Sequence, residues 1–184
     1  MQGMDKKFLP VAAVVLVVFV GVAAYLVFNQ PKGNESGEEN VLPSGGSEPD
    51  GIVFETVDGN EISLDELLSK GKPLLIYFFT TWCPTCESDL KSLNQTYGGF
   101  EDSVEVLVVG FDPTESLEKI KGYKEARNYM WLFAGYNEVA ITRFQIVTQS
   151  SKVGLDADGE VVFSEGFGVV SNEGWLGLLQ KLAP

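Results

Sequence analysis

Seven apolar residues, Pro73-Leu74-Leu75-Ile76-Tyr77-Phe78-Phe79, run into two threonines and then Trp82-Cys83-Pro84-Thr85-Cys86. This junction constrains the fold more than any other part of the chain. An unbroken apolar run of strand length is the pattern of a central strand covered on both faces. Beyond it, Cys86, Leu90, Leu93 and Tyr97 recur at spacings of four, three and four, so they share one helix face, while Glu87, Ser88, Lys91, Asn94 and Gln95 lie around the rest. The two cysteines therefore stand at a strand-to-helix corner. Free backbone N–H groups and the helix dipole stabilise a thiolate there. Cys83, at the corner, is expected to be the more exposed, and Cys86, one turn in, the shielded one. Two intervening residues permit a disulfide, so Cys83 can attack a client disulfide and Cys86 can resolve the mixed disulfide. The competing readings are weaker. A static bridge over so short a loop adds little entropic stability, and half of an intersubunit metal clamp would want histidines.

The chain has no histidine, which removes Ser-His-Asp and Cys-His catalysis and His-ligated metals. Two cysteines alone cannot complete a four-ligand zinc site, and no metal or cofactor is expected. Arg127 and Arg143 are the only arginines beside 26 acidic residues, and the formal net charge is −13, so a nucleic-acid partner is not expected. The acidity belongs to the part after residue 28 and reads as solubility.

The organisation follows from composition. Residues 1–7 form a short leader expected to lie in the cytoplasm. Phe8 to Phe28 holds no charge over 21 residues, enough helix to cross a hydrocarbon core of about 30 Å. Lys6 and Lys7 precede it, and the stretch after it offers Lys32 against three glutamates. This bias places the N-terminus in the cytoplasm and the rest outside the cell membrane as a single-pass signal anchor. A cleaved signal peptide ending near Val22-Ala23-Ala24 is the alternative, and it also exports the domain. Residues 29–50, rich in Gly, Pro, Ser and Glu, read as a flexible acidic linker.

Residues 51–184 are of single-domain size. A strand over Ile52–Val57 meets a turn at Asp58-Gly59, and Ser63 with Glu66 opens a short helix. Val104–Val109 is a second buried strand. Asp112-Pro113-Thr114-Glu115 reads as the start of a helix reaching about Tyr129. A strand at Met130–Ala134, a short helix at Asn137–Phe144, a hairpin around Asp156-Ala157-Asp158-Gly159 and a last helix capped by Ser171 complete the order. Alternating strands and helices followed by a hairpin and a closing helix imply an α/β sandwich with a mixed sheet.

The stretch from Lys70 through Leu74–Phe79 to Trp82-Cys83-Pro84-Thr85-Cys86 resembles the thioredoxin superfamily, and specifically its membrane-anchored TlpA/ResA-type branch. Phe54–Leu64 and Asp156–Phe163 resemble that branch's two hairpins. The resemblance implies a three-layer thioredoxin-like sandwich and a thiol-disulfide oxidoreductase. It also implies exported client proteins, apocytochrome c among them, and electrons from a membrane thiol carrier. Trp82, Cys83 and Cys86 match the family motif, with Pro84 and Thr85 between the cysteines. Asp89 falls where the branch usually has Glu; its carboxylate either takes part in proton transfer at Cys86 or is an acid suited to a helix's first turn. Three departures stand out. Tyr77 replaces the buried Asp of thioredoxins proper. Pro84 comes first rather than second, which leaves the redox direction open. The loop where the family has a cis-proline reads Thr148-Gln149-Ser150-Ser151-Lys152, so Ser150 and Ser151 occupy that place, with a trans bond expected. Thr80 to Thr85 also resembles a peroxiredoxin motif, giving a thiol peroxidase as a second enzyme class, and a non-catalytic binding module is the third reading.

Overall fold

The computed structural model of this protein describes residues 51–183. The leader, the apolar segment at 8–28 and the linker at 29–50 lie outside the described residues. No helix among the described residues is long and apolar enough to cross a membrane. In chain order the elements are β1 (Val53–Glu55), β2 (Glu61–Ser63), α1 (Leu64–Leu68), β3 (Leu74–Phe79), α2 (Pro84–Tyr97), β4 (Glu105–Gly110), α3 (Leu117–Ala126), β5 (Leu132–Ala134), α4 (Glu138–Arg143), β6 (Ser151–Leu155), β7 (Val161–Glu165) and α5 (Asn172–Leu182).

Strand β3 is buried at every position, and its alternation divides the core into two layers. Leu75, Tyr77 and Phe79 join Leu90 and Leu93 of α2, Ile120 and Tyr123 of α3, and Trp175, Leu178 and Leu179 of α5. Leu74, Ile76 and Phe78 join Phe54 of β1, Leu64 and Leu67 of α1, and Ala140 of α4. The sheet runs β5-β4-β3-β6-β7. Strand β3 is parallel to β4 and antiparallel to β6, β4 is parallel to β5, and β7 is antiparallel to β6. This is the mixed central sheet of a thioredoxin-like α/β fold. The β1–β2 hairpin, turning through Gly59 at φ +80°, docks on the sheet edge where Val57 N–H donates to the Phe133 carbonyl at 2.9 Å.

Helix starts follow their caps. Ser63, Asn137 and Ser171 each accept a backbone N–H from three residues on, as their sequence positions suggest. The helix expected from Asp112 is the exception. Asp112 Oδ1 accepts both the N–H and the hydroxyl of Thr114, closing a local Asx turn, and the helix begins only at Leu117 behind Ser116. It ends at Ala126, short of Tyr129, with Asn128 at φ +54° breaking the helical path.

Candidate active site

The chain leaves β3 at Phe79 and turns through Thr80, whose carbonyl accepts the Cys83 N–H at 3.3 Å. Cys83 is the N-cap of α2, its backbone extended at φ −88° and ψ 107°, and its Sγ accepts the Cys86 N–H at 3.1 Å. Pro84 follows at the first helical position, where a missing N–H is harmless. Cys83 and Cys86 are joined as a disulfide, their Cα atoms 5.2 Å apart. The expected contrast in exposure is much reduced. Cys83 is 4% exposed and Cys86 is 0%, so both sulfurs are covered. Trp82, at 57%, is the exposed member of the motif, beside an exposed Pro84 and a part-buried Thr85.

Two acids hold this corner from the segment after β4. Trp82 Nε1–H donates to Asp112 Oδ2 at 3.1 Å. The Thr114 hydroxyl and N–H, together with Trp82, hold the Asp112 carboxyl below its usual range. The Glu115 carboxylate, 1% exposed, accepts the Thr81 N–H at 3.0 Å and the Thr81 hydroxyl, and pairs with Lys119 at 2.7 Å.

Behind the disulfide lies a buried polar cluster. Asp89 is the sixth residue of α2 and fully buried; it lies past the first turn, so the reading of an acid suited to that turn does not hold, and Glu87 is the acid found there. Asp89 Oδ1 accepts the Val170 N–H at 2.8 Å and the Trp175 indole N–H at 3.0 Å. Asp89 Oδ2 accepts the Tyr77 hydroxyl at 2.9 Å and faces Lys152 Nζ at 2.7 Å. Lys152 is 1% exposed and also donates to the Gly168 carbonyl at 2.6 Å. The Tyr77 hydroxyl lies 3.0 Å from Ser150 Oγ, and burial, reinforced by Asp89, pushes its ionisation far above the usual range. The position where thioredoxins proper have a buried acid thus holds a phenol that meets an acid from α2.

Ser150 sits beside the C-terminal end of β3, from which the cysteine corner departs. Its N–H donates to the Phe78 carbonyl at 2.7 Å, and Ser151 lies opposite Phe78 in the β3–β6 register. No peptide bond among the described residues is cis, and Ser150 instead turns the chain at φ +63°. Ser150 is fully buried, and its hydroxyl donates to the Gly168 carbonyl at 3.0 Å.

Sequence reasoning missed Lys152, Glu115 and Trp175 as parts of this site. Lys152 had a partial signal, being a lone cation directly before Val153-Gly154-Leu155, but its place opposite Tyr77 comes only from the β3–β6 register. For Glu115 the helix-start pattern hid the role, and Trp175 reads simply as core. Within the described residues no cluster of acids and cysteines could hold a metal ion.

Residues 48–170 match the AhpC/TSA family. The chain is 26% identical to the thiol-disulfide oxidoreductase ResA of Bacillus cereus, over 98% of this chain and all of that protein. It is 28% identical to the thiol:disulfide interchange protein DsbE of Escherichia coli, over 61% of this chain and 60% of that protein. A secreted Mycobacterium tuberculosis disulfide oxidoreductase, itself described as homologous to DsbE, superposes with a TM-score of 0.64 at 20% identity, over 74% of this chain and all of that structure.

Proposed function

The chain belongs to the AhpC/TSA family and is a thiol-disulfide oxidoreductase of thioredoxin fold, and from that premise we propose that it works tethered to the cell membrane, exchanging disulfides with exported proteins through Cys83 and Cys86. The carrying observation is the Cys83–Cys86 disulfide at the N-terminus of α2, beside an exposed Trp82. In the reducing direction, the Cys83 thiolate attacks one sulfur of a client disulfide. The client's other sulfur leaves as a thiolate, and a Cys83–client disulfide forms. Cys86 then loses its proton and attacks the Cys83 sulfur, releasing the second client thiolate and restoring the internal disulfide. The protein gives up two electrons and the client gains them. The next cycle requires a dithiol donor, which we assign to a membrane thiol carrier.

Residues 8–28 supply the anchor in this reading, with the N-terminus in the cytoplasm and the domain outside. The 22-residue linker, as a flexible coil, would span about 25–30 Å. We place apocytochrome c among the clients, as the resemblance of the Trp82–Cys86 stretch to the TlpA/ResA-type branch implies. Replacing Cys86 with Ser in cells should trap exported proteins as mixed disulfides on Cys83. If no Cys83-dependent adduct accumulates, the exchange reading loses its support. A strongly reducing Cys83/Cys86 potential fits a reductant in cytochrome c maturation, whereas an oxidising one would turn the protein into a disulfide donor.

A further inference from the structure

Asp89 and Cys86 lie three residues apart on the buried face of α2, and side chains at that spacing have Cβ atoms about 5–6 Å apart. Any charge left on Asp89 therefore acts directly on the Cys86 sulfur. The carboxylate receives four donors, two on each oxygen: the Val170 N–H, the Trp175 indole, the Tyr77 hydroxyl and the Lys152 ammonium. Three of these can only donate. The fourth, Tyr77, can turn its proton to Ser150, whose own hydroxyl reaches the Gly168 carbonyl. A proton on Asp89 would thus displace Lys152 or turn the Tyr77 hydroxyl away from the carboxylate toward Ser150, which already donates to the Gly168 carbonyl.

Lys152 comes from β6, a strand that carries no other part of the exchange chemistry, and its ammonium is also held by the Gly168 carbonyl and lies 5.6 Å from the Tyr77 ring centre. The titratable groups facing Asp89 are Tyr77 from β3, Lys152 from β6 and Cys86 on its own helix; α5 contributes the neutral Trp175, and the segment before it a backbone N–H.

We propose that Lys152 is a positioning residue for disulfide exchange: paired with Asp89, it fixes that carboxylate as a balanced buried charge beside Cys86 and withholds it from proton transfer. The inference rests on the exchange reading. When Cys86 attacks the Cys83–client bond, its proton then goes to water or to the departing client thiolate rather than to Asp89. The step still balances, because one thiol proton is lost, one S–S bond breaks, one forms, and the client sulfur that leaves takes up a proton.

The test uses the full chain with Cys83→Ser, so that Cys86 is the one thiol, and follows thiolate absorbance against pH, with the Cys83→Ser/Cys86→Ser chain as baseline. It reads thiol ionisation without any client, so failed exchange in cells and failure of this inference are separate results. Lys152→Met leaves Asp89 as an unbalanced negative charge and should move Cys86 ionisation upward by about one pH unit or more. Asp89→Asn leaves Lys152 as an unbalanced positive charge and should move it downward by a similar amount. The double variant should return to within about half a unit of the parent, which a merely structural role for Lys152 would not produce. If Lys152→Met fails to fold by circular dichroism, the downward shift in Asp89→Asn and the return in the double variant decide. The inference is overturned if the single variants move ionisation the same way, if neither moves it, or if the double variant fails to return.

Discussion

Removing the Asp89 side chain should strip the domain of a large part of its stability, and removing its partner as well should restore most of it. In Asp89→Ala, the Lys152 ammonium, 1% exposed, loses its only counter-ion among the described residues. Breaking one side of a buried pair costs about 3–5 kcal/mol. The Val170 N–H and the Trp175 indole lose the acceptor that Asp89 Oδ1 provides, each adding about 1 kcal/mol or more. Tyr77 keeps Ser150, so its loss is smaller. Such costs do not add fully, and about 5 kcal/mol is the expected total, against a whole-domain stability of about 5–15 kcal/mol. With a urea slope of about 2 kcal/mol per molar, the midpoint of a fragment beginning at Gly51 should fall by about 2.5 M, followed by far-UV circular dichroism. In Asp89→Leu/Lys152→Met the charge is gone. Two unpaired donors remain, and stability should return to within about 2 kcal/mol of the parent. A loss under about 1 kcal/mol in Asp89→Ala would refute the claim that this carboxylate holds a buried cation. A double variant no better than the single would show that the penalty is not the unpaired charge.

Glu115→Ala should cost about 2–3 kcal/mol by removing the charged acceptor of the Thr81 N–H and hydroxyl, and Glu115→Gln, which keeps one acceptor oxygen, less; equal losses in urea unfolding would contradict this. Burial raises the ionisation of Tyr77, Tyr97, Tyr123 and Tyr129, that of Tyr97 up to about 12. An unfolded tyrosine ionises near about pH 10, so these groups stabilise the fold fully below that pH and lose the effect as pH rises through the folded values. Tyrosinate absorbance from these four should therefore appear together with loss of secondary structure, and their ionisation near pH 10 in an intact fold would count against the packing. Gly154→Ala should destabilise by about 1–3 kcal/mol, because an added Cβ would overlap the Phe163 ring, at 2.7 Å from Cζ and 2.8 Å from Cδ1; an unchanged thermal midpoint would mean that the ring moves aside freely.

The sheet's central strand, the cysteine corner and most helix starts were legible because each is written in local code. Seven apolar residues in a row, a 4-3-4 face and a Ser or Asn before a helix need no tertiary partner to be recognised. The helix start at Asp112 was misread because an Asx turn and an N-cap use the same carboxylate in the same way, and only the next three residues differ. The buried cluster was legible only in part. Asp89 and Tyr77 drew notice as departures from a family pattern, but their meeting depends on how α2 lies across β3. Lys152 acquires its meaning only from the antiparallel register that sets it opposite Tyr77. Charges brought together from a helix and a strand far apart in sequence leave no periodicity to read.

Cys83 Sγ has two duties at once, as the sulfur that changes oxidation state and as the cap of α2 through the Cys86 N–H. Serine, threonine, asparagine and aspartate are the usual occupants of a cap. Here the cap's quality depends on whether that sulfur is a disulfide, a thiol or a thiolate. By linkage, the reduction potential of the folded protein relative to the unfolded chain equals the difference in unfolding free energy between its oxidised and reduced forms, about 30 mV for each 1.4 kcal/mol. A pair of melting curves, one on each redox form, is therefore also a voltmeter for this site.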